Sequence, residues 1–358
     1  MRNAREVRIL LKGNDAAIYG ALLAGCDCFF GYPITPASEI AHTAALLFPK
    51  LGRVFLQAES EIAAINMVFG AAAAGKTAMT ASSGLGISLK QECVSYMATC
   101  EMPGVIVDIM RGGPGLGNIG PEQADYNQVV KGGGHGSYKC IVLAPDSPQE
   151  MCDLTYLAFE LADKYRTPVY VLSDGVIGQM LESVILPPPR KLQRKNSDWS
   201  LTQKGKSNYI TSIFLEHDEL EEVNVKLQKK YEEISKKEQR VELYMTDDAE
   251  IILSAYGISA RIAKNAVHNM RKKGIKAGLI RPITLFPFPQ NEFVEKSKIA
   301  SFFVSVELSN GQMIDDIKLA ISCSKPVYLC ARMGGNIPSE LEIEKCCKNI
   351  LNGKETSR

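Results

Sequence analysis

The stretch Gly31-Tyr32-Pro33-Ile34-Thr35-Pro36-Ala37-Ser38 lies between a short apolar run and a segment with helical spacing. The run Cys28-Phe29-Phe30 is typical of a buried strand, and residues 39–48 predict a helix. Two prolines fix two φ angles and remove two N–H donors, so the connection between strand and helix is stiff. Thr35 therefore follows a predicted strand at its carboxyl end, where open α/β sheets bind ligands. Alternatively, the stretch is only a stiffened loop in which Thr35 or Ser38 caps the helix.

Strand and helix patterns alternate along most of the chain. Short apolar runs indicate strands at 54–58, 77–81, 105–110, 140–143 and 169–172. Helical patterns separate most of these runs. Such alternation predicts a parallel sheet with helices on both faces. The same pattern resumes at residue 249. The expected fold class is therefore α/β, with one parallel-sheet domain and a second, smaller α/β domain.

The length of the chain and its run of prolines suggest the domain limits. A chain of 358 residues is long enough for two or three domains. Three consecutive prolines at 187–189 follow the first alternating region, so we place the first domain at 1–186. Residues 187–245 are largely polar and charged, and we expect a connector with an extended or partly ordered arm and one solvated helix. The second domain then covers 246–358.

The composition argues against several classes of function. The formal net charge is +1, so the balance of charges favours neither nucleic acid nor an anionic membrane as a partner. The most apolar run, at 62–75, is too short to span a bilayer. The first residues lack the apolar core of a signal peptide, so we expect a cytoplasmic protein.

The cysteines and histidines do not form a metal-binding pattern. The chain has 10 cysteines but no C-x-x-C pair, and ferredoxin-type clusters need that spacing repeatedly. The 4 histidines are scattered, which disfavours a zinc site. We therefore expect buried, reduced thiols and no metal on this chain, so that any redox metal lies on another chain.

Polar residues follow four of the predicted strands. Because the carboxyl ends of parallel strands share one edge of a sheet, these groups can converge on one crevice. They are Thr35, Glu61, the pair Ser82-Ser83, and Arg111. A structural interpretation also exists, in which Ser60 caps a helix whose dipole favours the neighbouring acids and Arg111 forms an ordinary rim ion pair.

A long glycine-rich loop follows Arg111, from 112 to 136. Its glycine clusters can cradle phosphates, but none fits a nucleotide-binding motif in a strand–turn–helix frame, and a mobile lid over the crevice explains them equally well. His135 lies in this loop. It is either an acid or base of the site or, with more weight, a loop histidine without a role.

Three of these segments together resemble the alpha subunit of 2-oxoacid:ferredoxin oxidoreductases: residues 31–38, 57–65 and 110–117. The resemblance is strongest to the branched-chain type, which acts on 2-oxoisovalerate (3-methyl-2-oxobutanoate), and residues 123–126 and 131–136 are also typical of that type. The first domain then resembles a thiamine-diphosphate-binding-type parallel sheet domain. The second resembles a transketolase-C-terminal-like α/β domain, including residues 334–338.

The resemblance implies that this chain binds the pyrimidine side of thiamine diphosphate. Glu61 matches the catalytic glutamate that bonds N1′ of the aminopyrimidine, which favours the imino tautomer whose N4′ takes the proton from the thiazolium C2. Thr35 and Arg111 match positions that hold the carboxylate and oxo group of the substrate. The cofactor-binding positions implied are Tyr32, Pro33, Glu61, Ser82, Ser83 and Gly84.

The same resemblance implies partner subunits. No Gly-Asp-Gly followed by a downstream Asn occurs here, so the Mg²⁺ and diphosphate site would lie on a beta subunit. The iron–sulfur clusters and the coenzyme A site would lie on a ferredoxin-like delta subunit and a gamma subunit, with ferredoxin as electron acceptor. The chain would then belong to a hetero-oligomer and be inactive alone.

The expected reaction is CoA-dependent oxidative decarboxylation of a 2-oxoacid to acyl-CoA and CO2 with reduction of ferredoxin. The best match is 2-oxoisovalerate, and 2-oxoglutarate and pyruvate remain open. Two further hypotheses stay open as well. One is half of a thiamine enzyme that does not use ferredoxin, such as a transketolase-like or phosphonopyruvate-decarboxylase-like subunit. The second is a scaffold that has lost the chemistry, against which the retention of Glu61, Thr35 and Arg111 argues.

Overall fold

The computed structural model describes residues 8–190 and 198–353, so the predictions made for the extreme N-terminus and for part of the connector lie outside it. Its strands are β1 (Arg8–Lys12), β2 (Cys28–Gly31), β3 (Val54–Gln57), β4 (Ala78–Ser82), β5 (Gly104–Met110), β6 (Ile141–Leu143), β7 (Pro168–Asp174), β8 (Leu181–Ile185), β9 (Val241–Tyr244), β10 (Ile251–Ser254), β11 (Ala277–Pro282), β12 (Thr284–Phe286), β13 (Phe302–Glu307) and β14 (Val327–Ala331). Its helices are α1 (Gly13–Ala24), α2 (Ser38–Leu47), α3 (Glu61–Ala73), α4 (Leu85–Thr99), α5 (Tyr126–Val130), α6 (Pro148–Tyr165), α7 (Gly175–Gln179), α8 (His217–Lys237), α9 (Gly257–Lys272), α10 (Gln290–Ser297), α11 (Met313–Ala320) and α12 (Glu340–Leu351).

A seven-stranded sheet in the order β12-β6-β7-β5-β4-β2-β3 forms the first layer. All neighbouring pairs from β6 to β3 are parallel, and only β12 is antiparallel. Every residue of β4, β5 and β7 is buried, as expected for strands covered on both faces. The predicted α/β class with a parallel sheet is therefore confirmed. None of the described helices is both long enough and apolar enough to cross a bilayer.

The second sheet has the order β14-β13-β10-β11-β9, and β9 is its antiparallel edge strand. The two sheets are interlocked in sequence, because β9 comes from the charged segment 187–245 while β12, which follows β11, joins the first sheet. The charged segment also contains α8, which buries Leu227, Tyr231 and Ile234. This segment thus contributes a strand and apolar contacts to the folded protein. Neither was part of the predicted connector with its extended or partly ordered arm and one solvated helix.

Gln123 joins the two sheets at the site edge. Its amide Nε2 donates to the carbonyl oxygen of Tyr256 at 2.9 Å. Its Oε1 accepts from the Ser259 hydroxyl at 3.0 Å and from the Leu308 N–H at 3.1 Å. A buried amide with this many partners fixes one orientation of the second sheet against the first.

The entry into α2 corrects one prediction. The helix begins at Ser38, and Ala37 occupies its N-cap position without a side-chain capping bond, so neither Thr35 nor Ser38 is the cap. The Ala37 N–H instead bonds to the Ile34 carbonyl in a tight turn, which leaves no extended residue in capping position. The predicted cap of α3 is confirmed, because the Ser60 hydroxyl accepts from the backbone N–H of Ala63 at 3.1 Å.

Candidate active site

Four neighbouring parallel strands end at the same edge of the first sheet. They are β5, β4, β2 and β3, in that spatial order. Thr35 follows β2, Glu61 opens α3 after β3, Ser82 ends β4, and Arg111 follows β5. The structure therefore brings all four sequence-predicted strand ends to one edge.

The turn between β4 and α4, residues 82–86, touches both Glu61 and Arg111. At Gly86 a Cβ atom would lie 2.7 Å from Oε1 of Glu61 and even closer to the hydroxyl of Ser82. At Gly84, which has φ +47°, a Cβ would lie 3.8 Å from Cγ of Arg111. We call this segment the β4–α4 turn. Its two glycines let the Glu61 carboxylate and the aliphatic stem of Arg111 approach the same short backbone segment.

Glu61 is buried at the N-terminus of α3, with 6% of its surface exposed. Its backbone carbonyl accepts a hydrogen bond from Nζ of Lys90 at 3.2 Å. Lys90 is fully buried, and burial lowers its pKa to about 8 while attraction to the Glu61 carboxylate opposes that fall. The candidate catalytic acid thus has a buried lysine beside it, bonded to its own backbone.

The hydroxyls of Ser82 and Ser83 are buried and have no hydrogen-bond partner among the described residues. Buried polar groups are normally paired, so orphaned hydroxyls indicate a ligand or another chain. The Glu61 carboxylate and the Ser82 hydroxyl both lie against buried Gly86, which has no side chain. An acid, free hydroxyls and a position without a side chain together fit a flat, nitrogen-rich ring such as the aminopyrimidine of thiamine diphosphate.

Arg111 links the β2 end to the glycine-rich loop. Its two terminal nitrogens donate to the carbonyl oxygens of Thr35, at 2.9 Å, and Leu116, at 3.0 Å. A guanidinium has five N–H donors, so three remain for an anion. Arg111 also lines a cleft of about 600 Å³ between the two sheets. Its lining also includes Gly84, Leu85, Gly113, Pro114, Glu122, Asp125 and Met333.

Hydrogen bonds fix the glycine-rich loop rather than leaving it as a free flap. The Gly112 N–H bonds to the Gly120 carbonyl at 2.8 Å. Glu122 accepts from the N–H of Gly113 at 2.7 Å and from that of Gly334, in the second domain, at 3.2 Å. The predicted continuous loop also contains helix α5. Glu122 therefore connects the cleft wall in the first domain to the second domain through hydrogen bonds.

Of the predicted site residues, only Arg111 and Gly84 line this cleft, whereas Thr35, Glu61, Ser82 and Ser83 lie at the same sheet edge without lining it. Three further residues named in the sequence analysis also lie outside the cleft. Tyr32 and Pro33 are exposed at the end of β2 and do not line it. His135 lies against α4, where its Nδ1 is 3.4 Å from the Ser95 hydroxyl and its ring contacts Tyr96 edge-on. His135 therefore lies outside this cleft, and its role stays a prediction.

Sequence reasoning missed several residues of this region. Asp108, Asp125, Glu122 and Lys90 are all buried polar groups at or under the cleft. Asp108 had a visible signal, because it interrupts the apolar run 105–110. The others become significant only through contacts that join distant parts of the chain.

Replacing Gly86 by alanine is expected to destabilise the protein by about 1–3 kcal/mol, because the new methyl group clashes with Ser82 and Glu61. The matched control is Gly70→Ala in α3, where nothing lies within 4 Å of the added carbon and a gain of about 0.5–1 kcal/mol is expected. Urea unfolding of both variants measures the difference. Equal midpoints for the Gly86 variant and the wild type would show that the turn accommodates the added methyl group without loss of stability.

Comparisons with known proteins agree with this geometry. Residues 19–246 match the family described as "Pyruvate flavodoxin/ferredoxin oxidoreductase, thiamine diP-bdg", and residues 249–343 match "Pyruvate:ferredoxin oxidoreductase core domain II". The chain is 60% identical over 330 residues to the ketoisovalerate oxidoreductase subunit VorB of Methanothermobacter marburgensis, covering 92% of this chain and 94% of that one. It is 40% identical over 320 residues to the 2-oxoglutarate synthase subunit KorA of Archaeoglobus fulgidus, covering 88% and 92%.

A solved structure shares the fold. The 2-oxoglutarate:ferredoxin oxidoreductase from Magnetococcus marinus, with 2-oxoglutarate, coenzyme A and succinyl-CoA bound, superposes with a TM-score of 0.86 at 27% sequence identity. The match covers 96% of this chain but only 65% of that longer chain.

Proposed function

Because the chain belongs to the pyruvate flavodoxin/ferredoxin oxidoreductase family and is an enzyme subunit of the 2-oxoacid oxidoreductase kind, we propose that it binds the aminopyrimidine end of thiamine diphosphate in a branched-chain 2-oxoacid enzyme. The observation that carries this proposal is that Glu61, two buried hydroxyls without partners and the stem of Arg111 all lie along the β4–α4 turn.

Glu61 is the acid and base of the proposed site. When bound, thiamine diphosphate supplies a carbon nucleophile for the 2-oxo group and an electron sink for the departing CO2. Glu61 would hold a proton at N1′ of the aminopyrimidine, and the neighbouring Lys90 fixes the start of α3 by donating to the Glu61 backbone carbonyl. The hydroxyls of Ser82 and Ser83 orient the ring by donating to or accepting from its polar edge.

Arg111 and Thr35 orient the substrate in this proposal. The guanidinium offers a pair of parallel N–H donors, which match the two oxygens of a carboxylate. Its bond to the Thr35 backbone carbonyl joins the two residues, and this supports a shared role in which the threonine hydroxyl would contact the same anion. Both groups lie at the sheet edge that carries Glu61, so the 2-oxo carbon is held where the reaction starts.

The cleft lining supports a branched-chain substrate. Arg111 is the only cationic residue that lines the cleft within the described part of the chain, while Glu122 and Asp125 are acidic. A second carboxylate, as in 2-oxoglutarate, would meet acids rather than a cation. Leu85 and Pro114 offer apolar surface for an aliphatic side chain. The 60% identity to a ketoisovalerate enzyme subunit, against 40% to a 2-oxoglutarate one, supports the same choice.

We further propose that partner subunits complete the site. A beta subunit would hold Mg²⁺ and the diphosphate, gamma and ferredoxin-like delta subunits would supply the coenzyme A site and the iron–sulfur clusters, and ferredoxin would accept the electrons. The names of the relatives, which designate subunits, support a multi-subunit enzyme. The exposed Tyr32 and Pro33 lie at the end of β2 where a partner would close the site.

The assay that tests this proposal uses the complex purified with its native partners. We expect CoA-dependent viologen reduction with kcat/KM at least about tenfold higher for 2-oxoisovalerate than for pyruvate or 2-oxoglutarate. Preference for 2-oxoglutarate or pyruvate would contradict the branched-chain assignment alone. Decarboxylation without electron transfer to viologen or ferredoxin would instead indicate the non-ferredoxin thiamine enzyme, and the isolated chain serves as the inactive control.

A further inference from the structure

Two carboxyl groups lie together beneath the β4–α4 turn. Asp108 is fully buried in the middle of β5. Asp125 precedes α5, is 8% exposed, and faces the cleft. The two side chains come from different elements, and the contact between them is close enough for a hydrogen bond.

The two acids differ in the donors that they receive. Asp125 accepts from the N–H of Gly84 at 3.1 Å through one oxygen and from Nε2 of Gln128 at 2.8 Å through the other. Neither oxygen of Asp108 has a well-formed hydrogen bond among the described residues, and the Gly84 N–H that approaches it already donates to Asp125. A buried carboxylate without donors is costly, and two carboxylates in contact do not both ionise readily. A proton on Asp108 removes both problems because it can be donated to Asp125.

The surroundings do not compensate a second negative charge. Glu122 adds a further negative charge on the cleft side. Tyr170 of β7 and Tyr256 before α9 face the pair and stay neutral, because burial raises the pKa of each well above 10. The aliphatic stem of Arg111 lies beside Gly84, but its guanidinium bonds to the carbonyl oxygens of Thr35 and Leu116.

The direction of both pKa shifts follows from this environment. Burial, reinforced by the charge of Asp125, raises the pKa of Asp108 well above the usual range for aspartate. Burial also raises the pKa of Asp125 to about 6, and its bonds from Gln128 and Gly84 limit that rise. The pair therefore keeps a proton, on Asp108, at pH values where a free aspartate has lost it.

We propose that Asp108 and Asp125 form a carboxyl pair that holds one proton and fixes the β4–α4 turn by accepting the Gly84 N–H. Both are positioning residues, since they act through a turn that contacts Glu61 and Arg111. The effect on turnover rests on the function proposed above, whereas the effect on the turn itself does not. A change in the state of the pair moves the backbone that carries both ends of the site.

The first test is Asp108→Asn, which has the same shape and donates to Asp125 at every pH. Above pH 4 an unfolded aspartate has lost its proton, while folded Asp108 retains it, so the stability of the wild type falls as pH rises toward the folded pKa. Above pH 4 we expect the free energy of unfolding of the purified complex in urea to fall less steeply with pH in the variant than in the wild type. The matched control Asp218→Asn, on the exposed surface of α8, should keep the wild-type slope. An unchanged slope in Asp108→Asn overturns the shared proton.

The second test is Asp125→Ala, which removes the acceptor of the Gly84 N–H. We expect amide hydrogen exchange of the 82–86 segment to accelerate at least about tenfold, and kcat/KM for the best 2-oxoacid to fall with it. Asp108→Asn should leave the exchange of this segment slow. Wild-type exchange in Asp125→Ala overturns the positioning role. Neither the unfolding slope nor the exchange rate uses a substrate, so both results are independent of whether the substrate assignment holds.

Discussion

Replacing Glu61 by glutamine is expected to lower kcat of the assembled enzyme by a factor of about 10² to 10⁴, the range of a positioned acid or base. Glutamine has nearly the same shape, so its contacts with Gly86 and Ser82 persist. It neither carries a negative charge nor exchanges a proton with a ring nitrogen at neutral pH. The loss should therefore lie in kcat, and steady-state CoA-dependent viologen reduction measures it.

Glu59→Gln is the matched control, because Glu59 is two residues away and exposed. We expect turnover of that variant to equal that of the wild type. The dissociation constant of thiamine diphosphate, measured in both variants, separates lost chemistry from lost binding. Normal turnover in the Glu61 variant would eliminate the proton role and with it the central assignment.

The second large effect is expected at Arg111. Arg111→Met removes a charged pair of donors from the cleft, which is worth about 3 kcal/mol toward a bound carboxylate and lowers kcat/KM for the 2-oxoacid by about a hundredfold. Arg111→Lys retains the charge but loses the planar fork, so it should recover only part of the activity. Substrate titrations of the reconstituted complex give both values.

Arg261→Met is the control for the loss of an arginine, because Arg261 pairs with Glu182 on the surface away from the cleft. Such a surface pair contributes at most about 1 kcal/mol. Arg111 also bonds to the Leu116 carbonyl, so loop disorder is a competing cause of lost activity. Unchanged affinity for thiamine diphosphate together with a raised KM supports carboxylate binding. A fall in kcat with an unchanged KM would contradict it.

The sequence was sufficient for the class of fold and for the group of strand ends, for a physical reason. Parallel strands place their carboxyl ends on one edge, so local strand patterns alone predict that Thr35, Glu61 and Arg111 lie at the same edge. The cap of α3 was also local, since Ser60 and Ala63 are close in sequence. The roles of these residues stay predictions until the variants are measured.

What the sequence did not reveal depends on contacts between distant segments. Asp125 becomes significant only because β5 places Asp108 beneath it, and Lys90 only because α4 packs against the start of α3. The cap of α2 was predicted wrongly because the preceding residues form a turn instead of the extended backbone that a capping side chain needs.

The placement of edge strands β9 and β12 in different sheets has a consequence for how the protein unfolds. Cutting the chain near residue 245 would strip β12 from the first sheet, although the cut lies outside that sheet, and would separate β9 from β11. Each resulting fragment would expose an unprotected row of backbone amides and carbonyls, which invites aggregation. The two halves therefore lose their structure together in one cooperative transition, and neither is a module that recombination could transplant intact.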